Sequence, residues 1–397
     1  MYFQTLDDKT ECVGVYKDGN LYFDEIPQGL TRTWRPGGSV SGPEIEYAWL
    51  WSGGKSLEEV CPDDLVASYK DSTQKMRAFY KSFTLAKIDF NEHCIFDLIP
   101  EDALMEFCEI KNQITEHVFE SHEKAPTYDF LVGASKLLHQ IRHQRLNIDI
   151  SDCKSMFTST NNRLGLKKIT AASQYIDYNL FGTVTGRLTT APQSFPILTM
   201  KKDFRRILKP CNEWFVSLDY NGAEPRTVLA LLEQPQPRGD IHQWNMDNVF
   251  NKAATPRDRD KAKVLFFGWL YNPDSDVIGS DCYDRDLLLD KYYAKGYINT
   301  PFGRKIEVER RKAFNYLIQS TTSDLVMERA MAIAEMLSDK KSFISHIIHD
   351  EVVLDIAQDE RHLIPEIRDT FATNRLDTFS VNIQAGKNFF DLGELNL

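Results

Sequence analysis

The chain has 397 residues and a formal net charge of −11 at pH 7, with hydrophobic residues at 42% and charged residues at 26%. This is an ordinary globular composition, with room for two or three domain-sized units. No run approaches the ~20 apolar residues of a membrane helix, and the start lacks the basic and apolar regions of a secretory signal. We therefore expect a cytoplasmic protein with no membrane partner.

The cysteines and the distribution of charge further narrow the class of protein to which the chain can belong. The seven cysteines are scattered without a CxxC pair, which is typical of reduced thiols in a cytosolic protein, and no structural zinc site is predicted. The negative net charge argues weakly against a nucleic-acid partner, but binding depends on where cations cluster. Basic residues cluster in the runs 139–145, 163–168, 201–209, 257–263 and 304–312. Each run alone is better explained by a solvated face than by a track of phosphate contacts.

The first part of the chain changes from strand-like to helical patterns. Short strand-like pieces at 12–16, 20–23 and 47–51 lie among glycines and prolines, which predicts a small β-rich element. From about residue 56 to 147 the pattern is helical, with long amphipathic runs at 102–120 and 128–145.

A glycine-flanked, threonine-rich segment follows at 179–190. Arg187 comes directly after Gly186, where the backbone can approach a ligand closely. A planar guanidinium there suits recognition of an acceptor in a nucleic-acid groove. A salt bridge beside a turn explains the same residue equally well.

Two acids come from distant parts of the chain at the ends of predicted strands. Asp219 ends the strand 214–218 and precedes a helix that starts at Glu224. Asp350 lies between the apolar runs 344–348 and 352–356, which predict a hairpin. An ordinary hairpin with a solvated acidic turn is the alternative, but two such carboxylates are the minimum for a two-metal phosphoryl-transfer site.

Between these acids, two helical patterns carry side chains at near-four-residue spacing. In 256–271 this spacing places two cations near the helix start and two aromatic rings further along one stripe. A triphosphate would meet the cations at the helix N-terminus, although a charged start with a buried aromatic face is the alternative. A basic turn at 300–305 precedes the second helix, 308–337. The first stripe consists of Arg259, Lys263, Phe267 and Tyr271, and the second of Arg311, Asn315, Gln319 and Asp324.

Six ordered stretches resemble the polymerase module of the family A DNA polymerases, the bacterial polymerase I and phage T7-type enzymes. Asp219 to Arg226 is similar to motif A, Arg259 to Tyr271 to motif B, and His349 to Glu351 to motif C. The segments 185–189, 240–242 and 311–319 resemble three further blocks in family order. The resemblance covers about residue 175 to the C-terminus.

The resemblance implies an α+β right-hand fold of palm, fingers and thumb, with an antiparallel palm sheet and helical fingers and thumb. Residues 1–55 would form the small β-rich element and 56–147 the thumb. Residues 148–229 would form the first part of the palm, 230–299 the fingers, and 300–397 the second part of the palm.

The resemblance also implies a role for each matching residue. Asp219, Asp350 and the backbone carbonyl of Tyr220 would bind two Mg²⁺ ions, for which Mn²⁺ can substitute, and Glu351 would support these catalytic acids. Lys263 would also be a candidate proton donor to pyrophosphate. The incoming dNTP would contact Arg259, Lys263, His242, Phe267, Tyr271, Tyr220 and Glu224, with Glu224 as the steric gate against a 2′-hydroxyl. The DNA would contact Arg187, Arg311, Asn315, Gln319 and His349.

Some positions depart from the family pattern. Asn272 and Ser320 stand where glycines are common, and Gly222 and Ala223 replace bulkier motif A residues. The segment 271–311 is shorter than its bacterial counterpart, so we expect trimmed fingers. The N-terminal half shows no Asp-x-Glu pattern in a strand-rich context, so no proofreading nuclease is expected.

We therefore predict a template-directed DNA polymerase without a 3′–5′ exonuclease in this chain, of a phage-like kind, located in the (host) cytoplasm. Primer–template DNA and dNTPs would be its partners, together with a separate exonuclease, helicase or processivity factor. The alternatives are a primer–template-binding homologue with weak catalysis and a single-subunit RNA polymerase.

Overall fold

We describe the chain from a computed structural model that covers residues 1–7, 13–37, 40, 42, 44–90, 92–151, 159–251 and 256–395. The chain divides into two compact units, Met1–His139 and Gln140–Leu397. Within the covered ranges, no helix combines the length and the apolar character that a membrane crossing requires.

The first unit combines short strands with long helices, as the sequence predicts. Strands β1 to β3 form an antiparallel sheet, while β4 and β5 pair in parallel. Side chains of α3 pack with Trp34 and Ala48 in an apolar cluster. The elements are β1 Gln4–Thr5, β2 Gly14–Lys17, β3 Asn20–Phe23, β4 Arg32–Thr33, β5 Glu46–Tyr47, α1 Ala48–Trp51, α2 Val66–Leu85, α3 Glu101–Ser121 and α4 Tyr128–Arg142.

Two expectations for this unit were wrong. Most of the predicted strand 47–51 is a helical turn: Tyr47 lies in strand β5, but α1 spans Ala48–Trp51 and buries Ala48 and Leu50. Packing there outweighs the strand propensity of the aromatic residues. Cys94 is disulfide-bonded, whereas Cys61, Cys108, Cys211 and Cys282 have free thiols. Cys12 and Cys153 lie outside the described residues.

The second unit contains the elements on which the predicted site residues lie. They are β6 Asn147–Ile148, α5 Thr160–Thr170, β7 Tyr178–Asn179, β8 Thr189–Thr190, β9 Leu208–Lys209, β10 Trp214–Tyr220, α6 Ala223–Leu231, α7 Ile241–Asn248, α8 Arg259–Tyr271, α9 Arg285–Tyr292, β11 Tyr293–Ala294, β12 Tyr297–Asn299, β13 Lys305–Glu307, α10 Arg310–Met336, β14 Phe343–Ile348, β15 Glu351–Ile356, α11 Ile364–Ala372, β16 Val381–Gly386 and β17 Gly393–Glu394.

The predicted strands and helices of this unit are confirmed to within a few residues. Among the described residues, five strands form an antiparallel sheet in the order β14-β15-β10-β16-β17. Its central strands are almost wholly buried, and helices α10 and α11 contact it. A second apolar core joins α6, α7, α8, α9 and the first half of α10, and Phe266 and Leu317 are among its fully buried members.

One buried carboxylate fastens the start of the central strand β10. Asp355 is 1% exposed and accepts hydrogen bonds from the backbone N–H groups of Cys211 at 2.5 Å and Asn212 at 2.9 Å. It lies opposite Phe215 in the β10–β15 pairing. The chain entering β10 is therefore bound to the strand that follows the hairpin.

We expect Asp355→Ala to destabilise the protein by about 2–4 kcal/mol, since two buried N–H groups lose a charged acceptor. Urea unfolding followed by tryptophan fluorescence would measure the loss. The matched control is Glu394→Ala, which removes an exposed carboxylate from edge strand β17 and should leave the midpoint unchanged. An Asp355→Ala midpoint equal to the wild type would contradict the anchoring role.

Candidate active site

Two acidic side chains meet where β10 ends and the β14–β15 hairpin turns. Asp219 on β10 lies opposite Glu351, the first residue of β15. His349 and Asp350 form the two-residue connection, and His349 has a φ of 57°. Such tight connections need left-handed residues, a conformation in which histidine is enriched. The predicted hairpin is confirmed, with Asp350 at its tip.

The pKa of Asp219 reflects how close these acids lie to one another. Burial, then the negative charges of Asp350 and Glu351, raise the pKa of Asp219 to about 7. Lys263 and a hydrogen bond with Asn382 oppose this shift. Asn382 lies on β16 directly opposite Asp219, and the sequence analysis did not single it out. Repelling carboxylates of this kind are characteristic of sites that hold cations or protons.

Glu351 is held by partners of its own. Its carboxylate accepts a hydrogen bond from Ser217 Oγ at 2.6 Å and lies 3.9 Å from Arg205 Nη1. Burial raises the pKa of Glu351. The guanidinium of Arg205 also stacks over the ring of Phe389 at 4.6 Å. Sequence reasoning marked the basic run around Arg205 without assigning it this contact.

The side chain of Tyr220 has its contacts in the core rather than with the acids. Its hydroxyl donates to the carbonyl of Phe371 at 2.6 Å, and the two rings stack at 4.3 Å. The side chain is thus fixed in the core between β10 and α11. Within the described residues, no group of three or more His, Cys, Asp or Glu side chains forms a metal cluster.

Helix α8 presents its predicted stripe beside the acids. The side chain of Asp258 caps the helix by accepting from the N–H of Lys261 at 2.8 Å. Arg259 Nη2 donates to Asp240 Oδ2 at 2.6 Å, and this pairing holds the pKa of Asp240 well below its usual range. The ring of Phe267 stacks at 6.0 Å on that of Tyr271.

His242 lies on α7 beside this stripe, as the sequence predicts. Its ring centroid is 6.0 Å from that of Phe267, and its Nδ1 is buried without a hydrogen-bond partner. Burial, together with the positive charge of Lys263, lowers the pKa of His242 to about 4. The imidazole is therefore neutral at physiological pH.

Gly222 explains how α7 approaches the acids so closely. Its φ is +73°, and a Cβ at this position would overlap Ile241 Cγ2 and lie 3.5 Å from His242 Nε2. Only glycine tolerates both the left-handed backbone and this contact. The departure from bulkier motif A residues therefore has a packing reason.

Arg226 links the same segments by hydrogen bonds in the protein interior. It is fully buried and donates to the carbonyls of Asn221 at 2.7 Å, Pro237 at 3.0 Å and Gly239 at 2.7 Å. The loop that leads to His242 is thereby fixed to the end of β10. No pattern in the sequence distinguishes this arginine from an exposed one.

Glu224 at the start of α6 is the meeting point of two predicted site residues. Arg187 Nη2 donates to Glu224 Oε1 at 2.5 Å, and the hydroxyl of Tyr271 donates to Oε2 at 2.9 Å. Glu224 is only 6% exposed, and burial raises its pKa. Of the two alternatives for Arg187, the structure shows the salt bridge, and it places that bridge inside the predicted site.

The remaining predicted residues lie on α10 and at the hairpin. Gln319 Nε2 donates to Asn315 Oδ1 at 2.5 Å, so these two share a helix face. Arg311 pairs with Asp274 at 2.8 Å in an exposed position. Burial, with the positive charges of Arg187 and Arg205, lowers the pKa of His349.

Comparison with known proteins finds similarity to DNA polymerases in sequence and in overall fold. No family model matches the chain. DNA polymerase I of Synechocystis sp. is 23% identical over 262 residues, which is 49% of this chain and 27% of that protein. The thermostable DNA polymerase I of Thermus aquaticus is 25% identical over 241 residues, 48% of this chain and 29% of its own. The DNA polymerase of Mycobacterium phage D29 is 25% identical over 170 residues, 34% of this chain and 28% of its own.

The matched part thus amounts to under a third of each of these relatives. Among solved structures, the polymerase domain of Pol1 from M. smegmatis, in complex with a DNA primer–template and dNTP, matches with a TM-score of 0.59. The identity is 14%, and the match covers 86% of this chain and 81% of that one. In sequence the chain is similar to bacterial and phage DNA polymerases, and its mixed α+β fold with an antiparallel sheet matches the fold of the Pol1 polymerase domain.

Proposed function

We propose that this chain is a template-directed DNA polymerase that adds dNTPs to a primer 3′-hydroxyl by two-metal phosphoryl transfer. The observation that carries the proposal is the convergence of Asp219 and Asp350 beside the α8 stripe that begins with Arg259 and Lys263. The related proteins are DNA polymerases by name, and the matching domain was solved with primer–template and dNTP. Positioning and charge neutralisation dominate such chemistry.

The acids at the strand ends fit divalent cations. Asp219 is buried among like charges, and a hard cation with oxygen ligands relieves that repulsion. We infer that Asp219, Asp350 and the backbone carbonyl of Tyr220 are the ligands, since Mg²⁺ in phosphate chemistry usually takes only one or two carboxylates. When bound, two Mg²⁺ ions, or Mn²⁺ in their place, would activate the primer hydroxyl and neutralise the triphosphate.

The positive residues of α8 and α7 would bind the triphosphate. Arg259 is held by Asp240, and a triphosphate would replace that carboxylate with a more highly charged bidentate partner. Lys263 lies within electrostatic reach of both Asp219 and His242, so it would contact the reacting phosphates and would be the candidate proton donor to pyrophosphate. His242 is neutral and so can donate one hydrogen bond without adding charge.

The aromatic end of α8 would select the nucleotide. Phe267 would stack on the incoming sugar and base, and Tyr271 would lie at the template side of the new pair. Glu224, held by Arg187 and Tyr271, cannot easily turn aside. A fixed carboxylate at this position leaves no room for a 2′-hydroxyl, so deoxynucleotides are preferred.

Residues on α10, the hairpin and the loop before β8 would bind the DNA. Gln319 and Arg187 would contact minor-groove acceptors, which lie in similar places for every correct pair. Asn315 and Arg311 would support the strands, and His349 the primer end. Glu351, whose carboxylate accepts a hydrogen bond from Ser217, would support Asp350.

We propose a phage-like polymerase in the cytoplasm, without 3′–5′ exonuclease in this chain, that works with a separate exonuclease, helicase or processivity factor. The primer–template-binding homologue and the single-subunit RNA polymerase are the alternatives. The paired acids and cations of the site disfavour the first, and the buried Glu224 disfavours the second.

Primer extension tests the polymerase proposal. With Mg²⁺, a DNA template and dNTPs, the wild type should extend a primer, and Asp350→Asn should be slower by about a thousandfold or more because a charged metal ligand is lost. The matched control is Asp391→Asn, an exposed change outside the site, which should extend like the wild type.

In the same assay without dNTPs the primer should keep its full length, since no nuclease is proposed for this chain. Tight primer–template binding without wild-type extension would favour the binding-only alternative. Shortening of the primer from its 3′ end would overturn the proposed absence of an exonuclease.

Substitution of Glu224 tests the steric gate. Glu224→Ala should raise the use of rNTPs relative to dNTPs by roughly tenfold or more, because a contact that excludes one hydroxyl is removed. Single-nucleotide insertion with each substrate measures the ratio, which is insensitive to a general loss of rate. Glu335→Ala, an exposed change on α10, is the control. An unchanged ratio in Glu224→Ala would move the gate elsewhere.

A further inference from the structure

A buried ion pair lies behind the loop that carries Arg187. Arg304 donates to both carboxylate oxygens of Asp324, from Nε at 3.0 Å and from Nη2 at 2.6 Å. The side chains are 15% and 3% exposed. This two-pronged geometry makes a flat, rigid surface from two side chains.

The elements on either side fix this surface in place. Asp324 lies in the middle of the long helix α10. Arg304 comes from the turn between β12 and β13, where its carbonyl accepts from the N–H of Thr300 at 2.9 Å and its own N–H donates to Thr300 Oγ1 at 3.2 Å. Neither partner can move without distorting a helix or a closed turn.

The backbone of Gly186 rests directly on this ion pair. Gly186 has a φ of +78°, and a Cβ there would lie 2.7 Å from Arg304 Nη2, 2.9 Å from Arg304 Cζ and 3.2 Å from Asp324 Oδ1. The loop is closed by Thr183, whose hydroxyl donates to the carbonyl of Arg187 at 2.9 Å. The backbone is thus held on both sides of the Arg187 side chain, by the ion pair at Gly186 and by Thr183 at the carbonyl of Arg187.

We propose that Arg304 and Asp324 are positioning residues for Arg187, holding its guanidinium where it contacts the minor-groove acceptor of the primer-terminal base pair. This inference rests on the proposed polymerase function. Arg187 reaches Glu224 with one of its donors, and an arginine has five in a fixed fork. The Gly186 backbone sets where that fork lies.

Two variants separate a positioning role of the ion pair from a role in folding. Buried ion pairs are often replaced by apolar residues of similar volume without loss of stability. The double variant Arg304→Met/Asp324→Leu should therefore fold, while the flat support under Gly186 is lost. Gly186→Ala displaces the loop from the ion pair by a second route, in which both Arg304 and Asp324 are retained.

The test measures single-turnover extension from a primer that ends in deoxyguanosine or in 3-deaza-deoxyguanosine, in which C–H replaces the minor-groove N3 acceptor. For the wild type we expect the deaza primer to be about tenfold to a hundredfold slower, since a bond from a charged donor is lost. In Gly186→Ala and in the double variant the same replacement should cost less than about threefold, because Arg187 no longer meets the acceptor. Thermal unfolding confirms that each variant is folded.

The matched control is Gly296→Ala, in the turn between β11 and β12. Gly296 has a φ of +86°, and no atom lies within 4 Å of a Cβ placed there. This variant introduces the same backbone strain without touching a neighbour, so it should keep both the rate and the full deaza penalty.

Folded variants that are slow on the natural primer but keep the full deaza penalty would overturn the inference, because the ion pair would then act on structure alone. A wild type that extends both primers equally would overturn it too, while leaving the proposed polymerase function standing. A wild type that extends neither primer would overturn the proposed function and this inference together.

Discussion

The pairing of β10 with β15 forces like charges together, and the arrangement of the site depends on that constraint. Asp219 and Glu351 lie opposite each other, with Asp350 one residue away at the tip of the hairpin. A register shift of one residue would turn these side chains to the other face. Asp355 on β15 fastens the start of β10, and Tyr220 fastens the end of β10 to α11. The strand is therefore held at both ends against the repulsion of the acids.

Around this cluster, charged side chains already have partners that a ligand can replace. Arg259 is paired with Asp240, and Glu224 holds both Arg187 and Tyr271. Such pairs keep rotamer-rich side chains in position before the substrate arrives, which lowers the entropy lost on binding. A triphosphate or a minor-groove acceptor then competes for donors that are already ordered.

Strand and helix periodicity, together with the order of the motifs, predicted most of the second unit. Hydrophobic alternation located β10 and the hairpin, and four-residue spacing located the stripe of α8. The partners of these residues were beyond prediction, because Asp240, Ser217, Arg205 and Asn382 become neighbours of the site only through tertiary pairing. The strand predicted at 47–51 was wrong for the same reason, since packing of α1 on α3 overrides the local strand propensity.

The most direct test of Asp219 and Asp350 as a cation site is a titration with Mn²⁺, followed by electron paramagnetic resonance. It is carried out in the presence of the next dNTP and a primer–template whose primer ends in a dideoxynucleotide, so that the dNTP is bound without being consumed. The free Mn²⁺ signal should fall as the wild type binds the ion with micromolar-range affinity, on the order expected for carboxylate–phosphate sites. The double variant Asp219→Asn/Asp350→Asn should leave the signal close to that of primer–template and dNTP alone. Equal Mn²⁺ binding by the wild type and the double variant would contradict the account, because the acids brought together by β10 and the hairpin would then not be the ligands.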